Sequence, residues 1–128
     1  MYSVTVTGHL DSAHFLRGYD GPCAQLHGHR FTYEITIGVK SLDALGMVID
    51  FKDVKKVMKA RIEIQYDHKC LNTVSPFDRI NPTAENLAKV IYGLMTVEPT
   101  INALHVSVFN VVKVRVYESP DCYAEYSR

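Results

Sequence analysis

Strict alternation of residue type over 27–39 constrains the fold of this chain more than any other feature of its sequence. The odd-numbered residues there are histidine, aromatic or aliphatic, and the even-numbered ones are glycine or polar. Side chains two residues apart project from the same face of a β-strand, so the pattern predicts a long strand with one buried face. That face begins with His27 and His29, whose imidazoles can approach one point. Gly28 between them adds no side chain to the opposite face.

A third histidine falls into the same pattern on the preceding strand. Residues 2–10 also alternate, and if that phase continues, His14 lies on the apolar side. Three imidazoles with an open fourth position are the ligand set of catalytic zinc, so the sequence predicts zinc at His14, His27 and His29. Two other interpretations stay open. The histidines are core residues bonded to backbone carbonyls, or Cys23 is the fourth ligand of a closed structural site.

Bulk properties argue against several classes of protein. With 128 residues, the chain is expected to form a single domain over 1–128. Fourteen basic and fourteen acidic residues give a formal charge of zero, which argues against nucleic acid as a partner. No apolar run approaches the roughly 20 residues that span a bilayer, and no signal peptide is visible. Three widely spaced cysteines suit a reducing compartment, so we expect a cytoplasmic protein without a membrane partner.

Apolar residues at helical spacing predict two helices. The first covers 51–65 with Asp50 as N-cap, and its predicted stripe comprises Val54, Val57, Met58, Arg61, Ile62 and Gln65. The second opens at 81–83, with either Asn81 or Thr83 as its cap. Strands are predicted over 2–10, 27–39, 104–118 and 122–126. The order ββααββ predicts an α+β protein, an antiparallel sheet with both helices on one face.

Several motifs, in a fixed order over most of the chain, resemble one enzyme family. They are Ser12-Ala13-His14, Cys23-x-x-x-His27-Gly28-His29, the segment 46–51, Asp67-His68-Lys69, the segment 81–88 and the segment 116–120. This set is similar to the 6-pyruvoyl-tetrahydropterin synthase and 6-carboxytetrahydropterin synthase family. The resemblance implies the tunnelling fold, in which ββααββ subunits join their sheets into a multi-subunit barrel. It also implies a homo-oligomer, a hexamer of two trimers.

The resemblance also implies a role for each motif. Zinc would be held by the three histidines, and Cys23 would be the proton-abstracting thiolate with Asp67 and His68 as its partners. Glu118 would anchor the pterin of 7,8-dihydroneopterin triphosphate, beside the Thr-x-Glu residues Thr83 and Glu85. Adjacent residues do not share a strand face, so the Asp-His pair is predicted on a turn or helix end. A Cys–His contact would then cross a subunit boundary.

The length of one spacer points to a branch of the family. Three residues separate Cys23 from His27, which resembles the 6-carboxytetrahydropterin branch of queuosine and deazapurine synthesis. The implied products are 6-carboxy-5,6,7,8-tetrahydropterin, acetaldehyde and triphosphate. Two alternatives are a synthase that forms 6-pyruvoyl-tetrahydropterin and a noncatalytic pterin- or zinc-binding oligomer. Tyr66 and Cys70 depart from the family pattern, which has leucine before the Asp-His pair and asparagine or an apolar residue at the second of these positions.

Overall fold

The computed structural model describes residues 1–97 and 109–128. Four antiparallel strands form one sheet in the order β1-β2-β3-β4. Their bounds are β1 Tyr2–His14, β2 His27–Val39, β3 Val111–Ser119 and β4 Cys122–Ser127. The predicted second strand is confirmed, and the first runs on to His14 in the same phase. That extension brings the last histidine of β1 opposite the first histidine of β2.

The third strand starts later than the alternation predicts. It begins at Val111, and the predicted residues 104–108 lie outside the described part of the chain. Between Thr36 and Ile37 the pairing with β3 shifts register, which marks a β-bulge. The bulge buries Val111 and leaves Val112 only half-buried, because an extra residue reverses which side chains face the core.

The helices lie between the second and third strands. They are α1 Phe51–Met58, a π-helical segment Lys59–Glu63, α2 Ile64–Tyr66 and α3 Ala84–Thr96, with a short 3₁₀ turn at Leu71–Thr73; another 3₁₀ turn, Pro22–Ala24, joins β1 to β2. Asp50 caps α1 as predicted, since its carboxylate accepts the Lys52 N–H at 2.9 Å. Of the two candidates for the later helix, Thr83 is the N-cap and accepts the Asn86 N–H at 3.1 Å. Both caps satisfy amides that a helix start leaves unpaired.

The single helix predicted over 51–65 is wrong in its centre. A π turn contains more residues than an α turn, so the buried stripe moves one position along the chain after Met58. Ile62 is buried as predicted, but Arg61 and Gln65 are only half-buried, and Tyr66 is buried in place of Gln65. The Arg61 guanidinium is thereby free to donate to the carbonyls of Leu94 and Val97, at 3.0 and 2.7 Å. It ties this segment to the end of α3.

One face of the sheet carries the helices, and the core lies between them. Fully buried side chains from β2, such as Phe31 and Ile35, belong to the same cluster as Val54 of α1 and Leu87 and Ile91 of α3. The predicted α+β architecture and the ββααββ order are confirmed. Among the described residues, no helix is long and apolar enough to cross a membrane.

Candidate metal centre

Three histidines meet where the β1–β2 hairpin ladder ends. His14 pairs with His27, and His29 lies two residues further along the same face of β2. The ring centroids are 4.6 Å apart for His14 and His27, 5.1 Å for His14 and His29, and 4.8 Å for His27 and His29. One nitrogen from each ring lies within 4.8 Å of the other two. The predicted trio is therefore brought together by strand pairing alone.

Backbone carbonyls orient two of these rings. The Nδ1–H of His14 donates to the Pro82 carbonyl at 2.7 Å, and the Nδ1–H of His27 donates to the Gln25 carbonyl at 2.7 Å. Each Nε2 then carries the lone pair, which is the arrangement found for metal-binding histidines. A hydrogen bond at Nδ1 thus fixes both the tautomer and the direction in which the ring can bind a metal.

The Nε2 atoms of the trio that are buried lower the stability of the fold unless they bind a ligand. The buried Nε2 atoms of His14 and His29 have no hydrogen-bond partner among the described residues. A buried polar atom without a partner destabilises a protein by about 1–3 kcal/mol, so two such atoms in one cluster indicate a ligand-binding site. The interpretation as core histidines satisfied by carbonyls does not account for them.

Burial also favours the neutral form of the His14 imidazole, which is the form that binds a metal cation. His14 is 1% exposed, and burial lowers its pKa below the ordinary histidine value. The Pro82 carbonyl raises the pKa in part, the neighbouring charges of His27 and His29 lower it, and Glu118 raises it. The net effect favours neutral imidazole at neutral pH, and neutral imidazole is the form that coordinates metal.

The donor set fits zinc in an open site. Nitrogen donors from three imidazoles match catalytic zinc coordination, and the Phe31 ring closes one side, with its centroid 5.1 Å from that of His14 and 5.4 Å from that of His29. Cys23 lies in the 3₁₀ turn Pro22–Ala24 and is half-buried. In the described part of the chain its Sγ does not join the histidine group as a fourth atom within 4.8 Å.

Asp67 and His68 follow the end of α2, as their adjacency predicts. His68 adopts a positive φ of 55°, in the left-handed region that residues other than glycine seldom occupy. Its Nδ1 lies 3.1 Å from Asp67 Oδ1. The same oxygen accepts the Asp11 N–H at 2.9 Å. The His68 side chain is 77% exposed, so its ring is presented to the outside of the chain.

Sequence reasoning missed one residue of this second cluster. Asp11, Asp67 and His68 each offer a ligand-type atom, and these atoms lie within 4.8 Å of one another. Asp11 lies on the polar phase of β1, where a carboxylate gives no distinguishing signal. Among the described residues Cys23 belongs to neither cluster, so one chain does not gather the thiol, Asp67 and His68 into a single group.

Two of the three predicted pterin residues line one pocket. Glu118 near the end of β3 and Glu85 in the first turn of α3 both line a pocket of about 180 Å³, together with Cys122. The hydroxyl oxygen of Thr83 is occupied as the cap of α3, and its O–H remains able to donate. Because the carbonyl of Pro82 holds His14, the start of α3 links this pocket to the histidine trio.

Fold and site together define an α+β protein of the tunnelling-fold type with a three-histidine candidate metal centre. Comparison with known proteins then gives the family. The family model described as 6-pyruvoyl tetrahydropterin synthase matches residues 3–128, and the chain belongs to this family. Membership makes it a lyase-type enzyme, related to the tetrahydropterin synthases.

Individual relatives agree with this assignment. The chain is 30% identical to 6-carboxy-5,6,7,8-tetrahydropterin synthase of Rickettsia bellii, over 91% of this chain and 93% of the relative. It is 35% identical to the enzyme of the same name from Bacillus subtilis, over 92% of this chain and 80% of the relative. The structure of Caenorhabditis elegans 6-pyruvoyl tetrahydropterin synthase superimposes with a TM-score of 0.79 at 21% identity, over 99% of this chain and 95% of that one. This last similarity concerns the fold.

Proposed function

We propose that this protein is a zinc-dependent lyase that converts 7,8-dihydroneopterin triphosphate to 6-carboxy-5,6,7,8-tetrahydropterin, acetaldehyde and triphosphate. The observation that carries the proposal is the pair of buried Nε2 atoms of His14 and His29, which have no hydrogen-bond partner within residues 1–97 and 109–128 and lie beside His27. It is supported by curated relatives of 30–35% identity named 6-carboxy-5,6,7,8-tetrahydropterin synthase. The reaction would belong to queuosine and deazapurine synthesis.

Metal binding would fall to the three histidines. Zinc, when bound, supplies Lewis-acid polarisation of substrate oxygens at the position that the protein leaves open. The imidazoles of His14, His27 and His29 are neutral donors, so they would not reduce the positive charge available to the substrate. The Phe31 ring packs against His14 and His29 on the inner side of the trio.

Proton transfer would fall to Cys23, Asp67 and His68. We propose that the Cys23 thiolate removes a proton from a hydroxyl-bearing carbon of the substrate side chain. His68 would exchange a second proton through Nε2, because its other ring nitrogen, Nδ1, lies 3.1 Å from Asp67 Oδ1. A carboxylate at that position fixes the tautomer and supports the charged ring.

Pterin recognition is proposed for the residues around the adjacent pocket. The Glu118 carboxylate can accept two parallel hydrogen bonds from a ring N–H and the 2-amino group, a charge-assisted fork. Glu85 lines the same pocket, and the Thr83 O–H can donate to a ring acceptor while its oxygen caps α3. Because the Glu118 carboxylate is close enough to favour the charged form of His14 and so to raise its pKa in part, a pterin held by Glu118 would have its side chain near the metal.

We also propose that the active unit is a homo-oligomer, a hexamer of two trimers. In the described sheet, β1 and β4 are the outer strands, and exposed strand edges favour pairing with further copies. A second copy would bring its own Asp67-His68 turn to Cys23, which the single chain leaves apart. The free cysteines suit a reducing compartment, and we propose the cytoplasm as the site of action.

A second candidate reaction is the formation of 6-pyruvoyl-tetrahydropterin and triphosphate, which the description of the matching family model favours. Product analysis separates the two. Zinc-loaded protein is incubated with freshly made 7,8-dihydroneopterin triphosphate, and pterins and aldehydes are resolved by mass spectrometry. Matching yields of 6-carboxytetrahydropterin and acetaldehyde are expected, whereas 6-pyruvoyl-tetrahydropterin would select the second candidate. Unchanged substrate would favour a noncatalytic pterin- or zinc-binding oligomer.

The role of Cys23 is tested separately. Cys23→Ala is expected to abolish turnover and retain the metal, since the thiol is proposed to act on substrate. Zinc-edge X-ray absorption of the wild-type protein should show only nitrogen and oxygen at about 2.0–2.1 Å. A sulfur shell at about 2.3 Å, or loss of zinc from the variant, would make Cys23 a ligand instead.

A further inference from the structure

We propose that Ser12 and Asp11 are positioning residues that fasten the Asp67-His68 turn to the strand that ends in His14. The proposal rests on the proposed function for its kinetic consequence, but the fastening itself can be measured without turnover. Nothing in the sequence motifs assigns such a role to either residue. It follows from the contacts between β1 and the segment after α2.

A continuous set of hydrogen bonds joins the two segments. The Ser12 hydroxyl donates to the Tyr66 carbonyl at 2.6 Å, and the His68 N–H donates to the Asp11 carbonyl at 2.8 Å. The Asp11 N–H in turn donates to Asp67 Oδ1 at 2.9 Å. The segment continues along β1, where the Ala13 N–H donates to the carbonyl of residue 69 at 3.0 Å. Each residue from 66 to 69 is thereby held by residues 11–13.

The Ser12 bond is the one contact among these that a side chain of β1 supplies. Ser12 is buried, and removal of its hydroxyl would leave the Tyr66 carbonyl without this donor. Tyr66 is itself buried, and its own hydroxyl donates to the Ser75 carbonyl at 3.1 Å. A substitution at Ser12 therefore acts on the residue immediately before Asp67, while the ring of Tyr66 keeps its other anchor.

Backbone strain at His68 shows why the turn needs fastening. A side chain at positive φ is unfavourable and persists only where surrounding contacts hold it. Glycine would adopt a φ of 55° without strain, yet the position carries an exposed imidazole. The bond from its N–H to Asp11 is a contact that holds this conformation. The strained backbone position therefore carries His68, the residue proposed to transfer a proton.

Asp11 contributes through its carboxylate as well. Arg30 on β2 donates to both oxygens, from Nε at 2.9 Å and from a terminal nitrogen at 3.0 Å. The bidentate pair fixes the side chain beside Asp67 and His68, with which it shares the second cluster. A metal ion at this cluster is disfavoured, because the guanidinium already occupies the Asp11 carboxylate with the same sign of charge.

Both sites are therefore built on one short stretch of β1. Residues 11–13 hold the turn of His68, and the next residue is His14 of the metal centre. Elements of regular structure position functional groups more closely than loops do. Fastening the turn to β1 places the imidazole of an exposed loop in a fixed relation to the histidine trio.

The test uses the full-length, zinc-loaded protein in its native assembly. Ser12→Ala removes the hydroxyl and Ser12→Thr keeps it, whereas Arg30→Gln frees the Asp11 carboxylate at the surface, where folding is not at risk. Arg115→Gln is the matched control. Arg115 forms a similar ion pair with Glu125 at 2.6 Å on β3 and β4, away from the turn. Amide hydrogen exchange of residues 66–70, zinc content, kcat and KM are measured for each variant.

For Ser12→Ala, we expect exchange in 66–70 to accelerate and kcat to fall, each by about fivefold to tenfold, the effect of one hydrogen bond. KM and zinc content should stay within about twofold of the wild type, a change no larger than that caused by loss of a weak surface contact. Ser12→Thr should restore both quantities. Arg30→Gln should accelerate exchange in 66–70 and lower kcat by about twofold to threefold each, as expected for loss of a partly screened surface ion pair. Arg115→Gln should leave exchange in 66–70 unchanged.

Other results would overturn the proposal. These are unchanged exchange in 66–70 for Ser12→Ala, a loss of kcat that Ser12→Thr does not restore, or a loss of kcat in proportion to zinc. Absence of turnover in the wild-type protein would instead contradict the proposed function. In that case the exchange data alone still decide whether Ser12 and Asp11 fasten the turn.

Discussion

The two imidazole sites of this chain are built in opposite ways. The histidine trio lies on paired strands, with His14 buried and the other two rings half-buried, and two of the rings are held by backbone carbonyls. His68 stands on a turn at positive φ, with most of its side chain exposed. The difference follows from the chemistry. A metal ligand must be neutral and preorganised, whereas the proton-transfer role proposed for His68 would require access to substrate and to a second subunit.

Removal of a trio member should have the largest effect. We expect His27→Ala to lose zinc and to lower kcat by on the order of 1000-fold or more, because transition-state charge would lose its Lewis acid. His27 starts β2 and is half-buried, so circular dichroism should remain that of a folded protein. His9→Ala is the control, since His9 is an exposed histidine on the same hairpin. Full zinc content in His27→Ala, measured by mass spectrometry of the metal, would contradict the site.

Substitution of His68 should lower activity without affecting metal binding by the histidine trio. His68→Gln should keep zinc at the wild-type level while kcat falls by about 100-fold, within the range for loss of a general acid–base group. Steady-state kinetics and metal analysis on the same sample give both numbers. If zinc were lost here as well, the two clusters would not be independent.

The position of the buried His14 also depends on the start of α3, because the Pro82 carbonyl next to the N-cap holds its ring. Thr83→Ala should lower the free energy of unfolding by about 1 kcal/mol, the usual effect of a lost N-cap. Thr83→Ser keeps an oxygen in place and should be close to the wild type. Urea denaturation measures both variants. An equal loss of stability in the two would show that the cap bond to Asn86 is not the cause.

The smallest expected effect concerns the backbone of the exposed site. His68→Gly should be more stable than His68→Ala by about 0.5–1 kcal/mol, because only glycine adopts positive φ without a steric penalty. Both variants lack the imidazole, so their difference isolates the backbone. Equal midpoints of thermal unfolding in the two would indicate that the turn relaxes once the ring is gone.

The metal trio was predictable because its determinants are local. Alternation with a period of two fixes which side chains share a face, and it places His27 and His29 on the core side of β2 before any tertiary contact is known. The same rule placed His14 once its strand extended to that residue. The Asp67-His68 turn was also predictable, since adjacent residues cannot share a strand face.

The remaining features depend on contacts between distant parts of the chain. The π turn moves burial from Gln65 to Tyr66, and the bulge opposite Thr36 buries Val111 in place of Val112. Neither leaves a trace in periodicity, because each is a single-residue change in phase. The bonds from Ser12 and Asp11 to the turn join segments more than fifty residues apart, and such pairing has no signature in the residues themselves.

Because His14 pairs with His27, metal binding at the candidate centre would depend on correct pairing of the first two strands. A slip of one residue between β1 and β2 would turn one strand's histidines to the opposite face from the other's, and no ion could then contact all three. Only a hairpin in the native register can gather these nitrogens. A bound metal ion would therefore stabilise only those chains in which β1 and β2 are paired in the native register.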